Sequence, residues 1–213
     1  QSKEDTDIFN RFHLNGVKFV QTWEGFVYHM TSRGSRFNPL SGGAPGKDSP
    51  EWVGTTTRNM REFIRKWGHF CKHDDYMKPI VPPKYHIGFR VKNCIPQLLE
   101  ALEPWCSVIY TDLPSEESST YVESESMKSS FNIMGRVHDI IHEDHEDIVV
   151  EIDGNTFDNE EFRHIQHLPE IIQGSGEIGT FELGNLKLTI NNLNTYEKDL
   201  IVCSSQYVLE NTK

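Results

Sequence analysis

No stretch of the 213 residues is apolar for the roughly 20 positions a membrane helix needs, so no membrane span is expected. The N-terminus also lacks the charged, apolar and small-residue segments of a secretory signal. Residue 1 is Gln rather than Met, and the chain is expected to begin partway through a longer product. Cysteine is scarce: Cys71, Cys94, Cys106 and Cys203 show no Cys-x-x-Cys spacing and no dense framework. That excludes a disulfide-stapled scaffold and fits reduced thiols in a cytoplasmic protein. There is no internal repeat. With 15 Gly and 10 Pro, collagen-like and low-complexity classes are excluded as well.

What is present is acid, unevenly placed. The net charge is −11, yet residues 1–83 hold 12 Lys and Arg against 9 Asp and Glu, while residues 84–213 hold 9 against 23. An acidic C-terminal part argues against a nucleic-acid binder, whose affinity comes from neutralising phosphates. The basic excess sits at Arg33, Arg36, Lys47, Arg58, Arg61, Arg65 and Lys66. A patch of that size suits a small phosphorylated ligand better than a polymer.

Periodicity predicts a helix over 4–14, strands over 17–22 and 26–30, then a Gly/Pro/Ser-rich loop. A second helix follows Ser49 and Pro50 and stops at Gly68, with Trp52, Thr56, Met60, Phe63, Ile64 and Trp67 on one core stripe. Pro79, Pro82 and Pro83 mark a linker. Beyond it come strands over 85–92, 107–111, 131–137 and 148–152, and helices over 96–102, 115–127 and 158–173, the last kinked or ended early by Pro169. Residues 180–183 and 186–190 form a hairpin about Gly184-Asn185. The pattern predicts an α/β fold bordering α+β: residues 1–70, a linker over 71–83, and a mixed sheet with packed helices over 84–213.

Candidate chemistry begins at Glu4-Asp5-x-Asp7. Carboxylates in a first turn cap an amphipathic helix. One fixed at a cleft edge can instead deprotonate a hydroxyl. A metal pair is the weaker reading, because no apolar strand precedes it. The ordered series is more specific than any one residue. Glu4-Asp5-x-Asp7-Ile8-Phe9-x-Arg11 leads to Gly16-Val17-Lys18, then Phe26-Val27-Tyr28-His29, Arg33-Gly34-Ser35-Arg36, Glu51-Trp52 and Asn59-Met60-Arg61-Glu62-Phe63-Ile64-Arg65-Lys66-Trp67-Gly68.

Over residues 3–68 this series resembles the C-terminal part of the catalytic domain of family-2 glycosyltransferases, in forms associated with bacteriophages and marine microbes. The resemblance implies a GT-A fold and inverting transfer of a sugar from a nucleotide-sugar donor to an acceptor hydroxyl. It implies that Asp5, in the pair with Glu4, is the base, and that Asp7 and Arg11 hold the helix and loop. It further implies that His29 reaches a divalent metal (Mg or Mn) or the diphosphate, with Arg33, Gly34, Ser35 and Arg36 near the leaving group. The nucleotide-binding strands and metal-binding Asp-x-Asp of such enzymes would precede Gln1, so this stretch alone is expected to be inactive.

Other clusters have ordinary readings. His69-x-Cys71-x-His73 would share a face only in a strand, and no second ligand pair is spaced for structural zinc. His138, His142 and His145 stand in an acidic, solvated loop. Asp112 and Asp153-Gly154-Asn155 end predicted strands, where open α/β sheets bind ligands, though Asp, Gly and Asn are also turn residues. Cys94, Cys106 and Trp105 read as core. Two further roles stay open for residues 84–213: an acidic module that binds a protein partner, and a degenerate second nucleotide-sugar domain.

Overall fold

The computed structural model describes residues 3–20, 22–25, 35–142 and 145–201. They divide into two compact units: residues 1–61 with 71–80, and residues 62–70 with 81–213.

The first unit is held by local chemistry. Helix α1, Glu4–Leu14, carries its acids in the first turn and basic residues in the last, matching the helix dipole at both ends. Thr6 on α1 accepts a 3.6 Å contact from the Cys71 thiol, which ties residues 71–80 to the helix. Helix α2, Pro50–Trp67, starts where the Ser49 hydroxyl accepts the Trp52 amide at 3.2 Å. Residues 17–20, predicted as strand, have no strand pairing among the described residues. The predicted strand over 26–30 lies outside them.

The second unit is α/β, as predicted: one six-stranded mixed sheet with helices. Its strands are β1 (Ile87–Lys92), β2 (Val108–Thr111), β3 (Val137–Asp139), β4 (Ile148–Asp153), β5 (Gly179–Leu183) and β6 (Leu186–Ile190), in spatial order β3-β2-β1-β4-β6-β5. The first four in that order run parallel, and the β5–β6 hairpin joins β4 antiparallel. Between them run α3 (Pro96–Leu102), α4 (Ser115–Ser126), α5 (Asn159–Gln166) and α6 (Leu168–Ser175).

Alternation sets the two faces of this sheet. Ile87, Phe89 and Val91 align with Ile109 on one side and with Ile148, Val150, Ile152, Leu188 and Ile190 on the other. All are buried, as are Leu99, Leu102, Ile165, Leu168 and Ile172 of the helices. Each such side chain contributes about 1.5–3 kcal/mol relative to exposure. The opposite face carries Gly88, Arg90, Val108, Tyr110, His138 and Glu151, a mostly polar set. Between β3 and β4 the chain returns across it. Arg90 donates to the carbonyls of Ile140 (2.6 Å) and His142 (3.0 Å), and the Tyr110 hydroxyl donates to Glu146 at 2.9 Å.

Two boundaries move for identifiable reasons. The strand predicted over 131–137 is confined to Val137–Asp139, because Asn132 and Ser129 side chains accept the amides of Gly135 and Phe131 and fold that stretch into turns. The helix predicted over 158–173 breaks at His167, with Pro169 in the first turn of α6. Asp158 opens α5 in a reciprocal capping box with Glu161, whose other oxygen takes both the Asn185 amide and side chain in the hairpin turn. No helix among the described residues is long and apolar enough to cross a membrane.

Gly154, just past β4, packs where no side chain fits: a Cβ there would lie 2.3 Å from the Asn93 carbonyl oxygen. Gly154→Ala is expected to destabilise the fold by about 3 kcal/mol, the upper end of overpacking costs. Guanidinium denaturation measures it, and a change below about 0.5 kcal/mol would contradict this packing.

Candidate functional site

The residues singled out in the sequence fall mostly in the first unit. Glu4, Asp5 and Asp7 occupy the first turn of α1, with Glu4 and Asp5 exposed. Asp7 meets Arg11 one turn on, at 3.1 Å. His29, Arg33 and Gly34 lie outside the described residues, and Ser35 opens a short 3-10 turn, Ser35–Phe37. Arg36 pairs bidentately with Asp48 (2.5 and 3.2 Å) and lies over the rings of Phe37 and Trp52, 5.1 and 4.6 Å from their centroids. The hydrogen bond to Asp48 raises its already high pKa. Arg36 thus clasps its loop onto the start of α2. Among the described residues no group of three or more His, Cys, Asp or Glu could hold a metal ion.

The strand ends that open α/β sheets use for ligands are tied to one another here. Asp112 directly follows β2 and Asp153 ends β4, the two neighbours of β1, and both bind Asn93. Asp112 accepts the amides of Asn93 (2.7 Å) and Cys94 (2.9 Å), and Asp153 accepts from Asn93 Nδ2 (2.8 Å) and the Asn155 amide (2.9 Å). The Asn155 amide and the Asn93 side chain hold Asp153 below the usual carboxylate range. These acids brace the β1–α3 turn, where Asn93 adopts φ +51°.

The opposite, N-terminal ends of the parallel strands carry the densest chemistry. Glu103, wholly buried after α3, sits between two guanidinium groups. Arg65 of α2 donates to it at 2.6, 3.0 and 3.2 Å, and Arg136, just before β3, at 2.5 Å. Tyr121 of α4 adds a hydroxyl donor at 2.9 Å. Burial pushes the Glu103 carboxyl up, but the charges of Arg136 and Arg65 outweigh it and hold it down at about 2. Arg65 also reaches Glu125 and Glu62, and the remaining oxygen of Glu62 holds Ser130. Burial opposes the Arg65 charge, yet Glu103 and Glu125 raise its pKa overall.

Beside this cluster lies a cavity of about 210 Å³, lined by Arg65, Lys84, His86, Tyr110, Arg136 and Glu146 among others. Lys84 is 6% exposed, and its ammonium donates to the Arg65 carbonyl at 3.2 Å. It has no carboxylate partner among the described residues. Burial pulls its pKa down to about 7; Arg136 adds to that and Cys106 opposes it. The Cys106 thiol is itself pushed up to about 12, by burial first. Gly88 is bare because the Glu146 carboxylate occupies the place of a Cβ, 2.8 Å away. Sequence reasoning missed this site. Its signals were slight: Lys84 directly after a proline run, Arg136 directly before a strand, and Glu103 as a lone acid in Leu102-Glu103-Pro104-Trp105.

No protein-family model, curated protein or solved structure matches the chain.

Between about pH 7 and 10.5 the unfolded chain keeps a proton on Lys84 that the folded chain has lost, so Lys84 makes stability rise with pH across that window. Lys84→Met is expected to remove a slope approaching ~1.4 kcal/mol per pH unit. Denaturation of both proteins from pH 7 to 8, below the ordinary thiol pKa of about 8.5 at which unfolded Cys106 ionises, reads the difference. Parallel profiles would contradict the assignment.

Proposed function

We propose that residues 3–68 are the C-terminal part of the catalytic domain of an inverting, nucleotide-sugar-dependent glycosyltransferase, and that Asp5 is its base. The ordered residue series from Glu4 to Gly68 suggests the family. The observation that carries the role is the division of labour on α1. Asp7 and Arg11 brace the helix with their ion pair, while Asp5 stands exposed in the first turn without a partner among the described residues. A base has to come within about 2.6–3.2 Å of the proton it removes, and a carboxylate in that position is open to an incoming acceptor. Asp5 then takes the hydroxyl proton as the acceptor oxygen forms its bond to the anomeric carbon and the nucleoside diphosphate departs from the opposite side, inverting the centre.

Ile8, Phe9 and Phe12, the apolar stripe of α1, remain 37%, 48% and 46% exposed. That exposure suits a helix whose apolar face is completed by further polypeptide. A second reading gives residues 84–213 a protein-binding role of their own. It is favoured by their acidity and by the exposed Glu116, Glu117 and Glu123 of α4.

The test is sugar transfer from a panel of nucleotide sugars with added manganese, by this chain and by a polypeptide extended upstream. The chain alone is expected to be silent. The extended protein should turn over, and its Asp5→Asn variant should lose about 10²–10⁴-fold in kcat, the usual contribution of a general base. Transfer by the chain alone, or an unaffected Asp5→Asn variant, would overturn the reading.

A further inference from the structure

Three features of the second unit point one way. Lys84 and Arg136 are buried cations, 6% and 9% exposed, on the wall of one cavity. Both have donor capacity that the described residues do not use. Lys84 spends one of its three ammonium hydrogens, on the Arg65 carbonyl. Arg136 spends Nε on Glu103 and Nη2 on the carbonyls of Glu103 and Cys106. Its Nη1 has no acceptor among the described residues. Glu103 already serves both Arg65 and Arg136, and the Lys84 ammonium is paired with no carboxylate among the described residues. A buried cation without a counter-charge is costly, and donors left over around a cavity are what an oxyanion site requires.

We propose that this cavity binds a small oxyanion, a phosphate group above all, between Lys84 Nζ and Arg136 Nη1. The size restricts the ligand. About 210 Å³ falls below the ~300–1,000 Å³ of pockets that enclose drug-sized molecules. The site therefore takes inorganic phosphate or the phosphate end of a larger molecule, not a whole nucleotide sugar. Arg65 stays with its three carboxylates and supplies the Lys84 anchor through its carbonyl. Glu146 is the adverse element, a carboxylate on the cavity wall held by Tyr110. By its charge it opposes any bound anion and sets a ceiling on affinity. The site lies wholly within the second unit and is independent of the sugar-transfer reading.

Phosphorus NMR and calorimetric titration of the chain with inorganic phosphate at pH 6.5 test it, with sulfate and acetate as further arms. One phosphate per chain is expected, with sulfate comparable and acetate weaker. Tighter binding of acetate than of phosphate would overturn the preference for a phosphate group. Lys84→Met, which removes the charge while keeping an apolar stem, should weaken phosphate at least tenfold without loss of fold. Glu146→Gln, which keeps the hydrogen bond to Tyr110 and removes the opposing charge, should tighten it several-fold. No saturable binding up to 20-fold molar excess over a millimolar chain, or equal affinity in wild type and both variants, would overturn the proposal.

Discussion

One carboxylate organises the second unit. Glu103 is completely buried, and its oxygens receive guanidinium hydrogens from the end of α2 and from the residue before β3, plus the Tyr121 hydroxyl of α4. Three segments distant in sequence are thereby held to the α3–β2 junction. A buried ion pair is not in itself a strong source of stability, because desolvation offsets much of the attraction. Its force here is geometric. Once Glu103 is ionised in that place, Arg65 and Arg136 have to lie on either side of it, and the N-terminal ends of β1, β2 and β3 are fixed around them. Removing the acid alone would leave Arg136 buried without its carboxylate, while Arg65 would keep Glu62 and Glu125.

The same arrangement explains the neighbouring cavity. Glu103 is shared by two arginines, and the Lys84 ammonium in the cavity wall donates to the Arg65 carbonyl. Its pKa is depressed by burial first and by Arg136 second. The C-terminal strand ends show the contrary case. There Asp112 and Asp153 are satisfied by amides and by Asn93, and they read as turn chemistry.

Much of the fold was legible from residues 85 onward. Alternating runs such as Ile87–Lys92 and Ile148–Asp153, capping signals such as Asp158 with Glu161, and the Gly184-Asn185 turn each specify their element locally. Local signals failed where side chains competed for the backbone, as Ser129 and Asn132 do ahead of β3. The site was legible only in part. Asp5, Asp7 and Arg11 lie within one helix, so their spacing could be read directly. Arg65 read as part of a basic patch for a small phosphorylated ligand, because nothing in α2 announces the partner that buries it, 38 residues away in sequence. Arg65, Lys84, Glu103 and Arg136 converge through tertiary contacts alone, and no spacing encodes that.

The central claim is that Glu103 is committed to the two arginines, and that Lys84 lies buried in the cavity wall with its ammonium on a carbonyl rather than on a carboxylate. Carbon-13 labelling of the lysine ε-carbons, with Lys84 assigned by the Lys84→Met spectrum, measures its ionisation directly in the intact chain. The account predicts a midpoint about 7 for Lys84. A Lys84 midpoint at the ordinary lysine value of about 10.4 would contradict it.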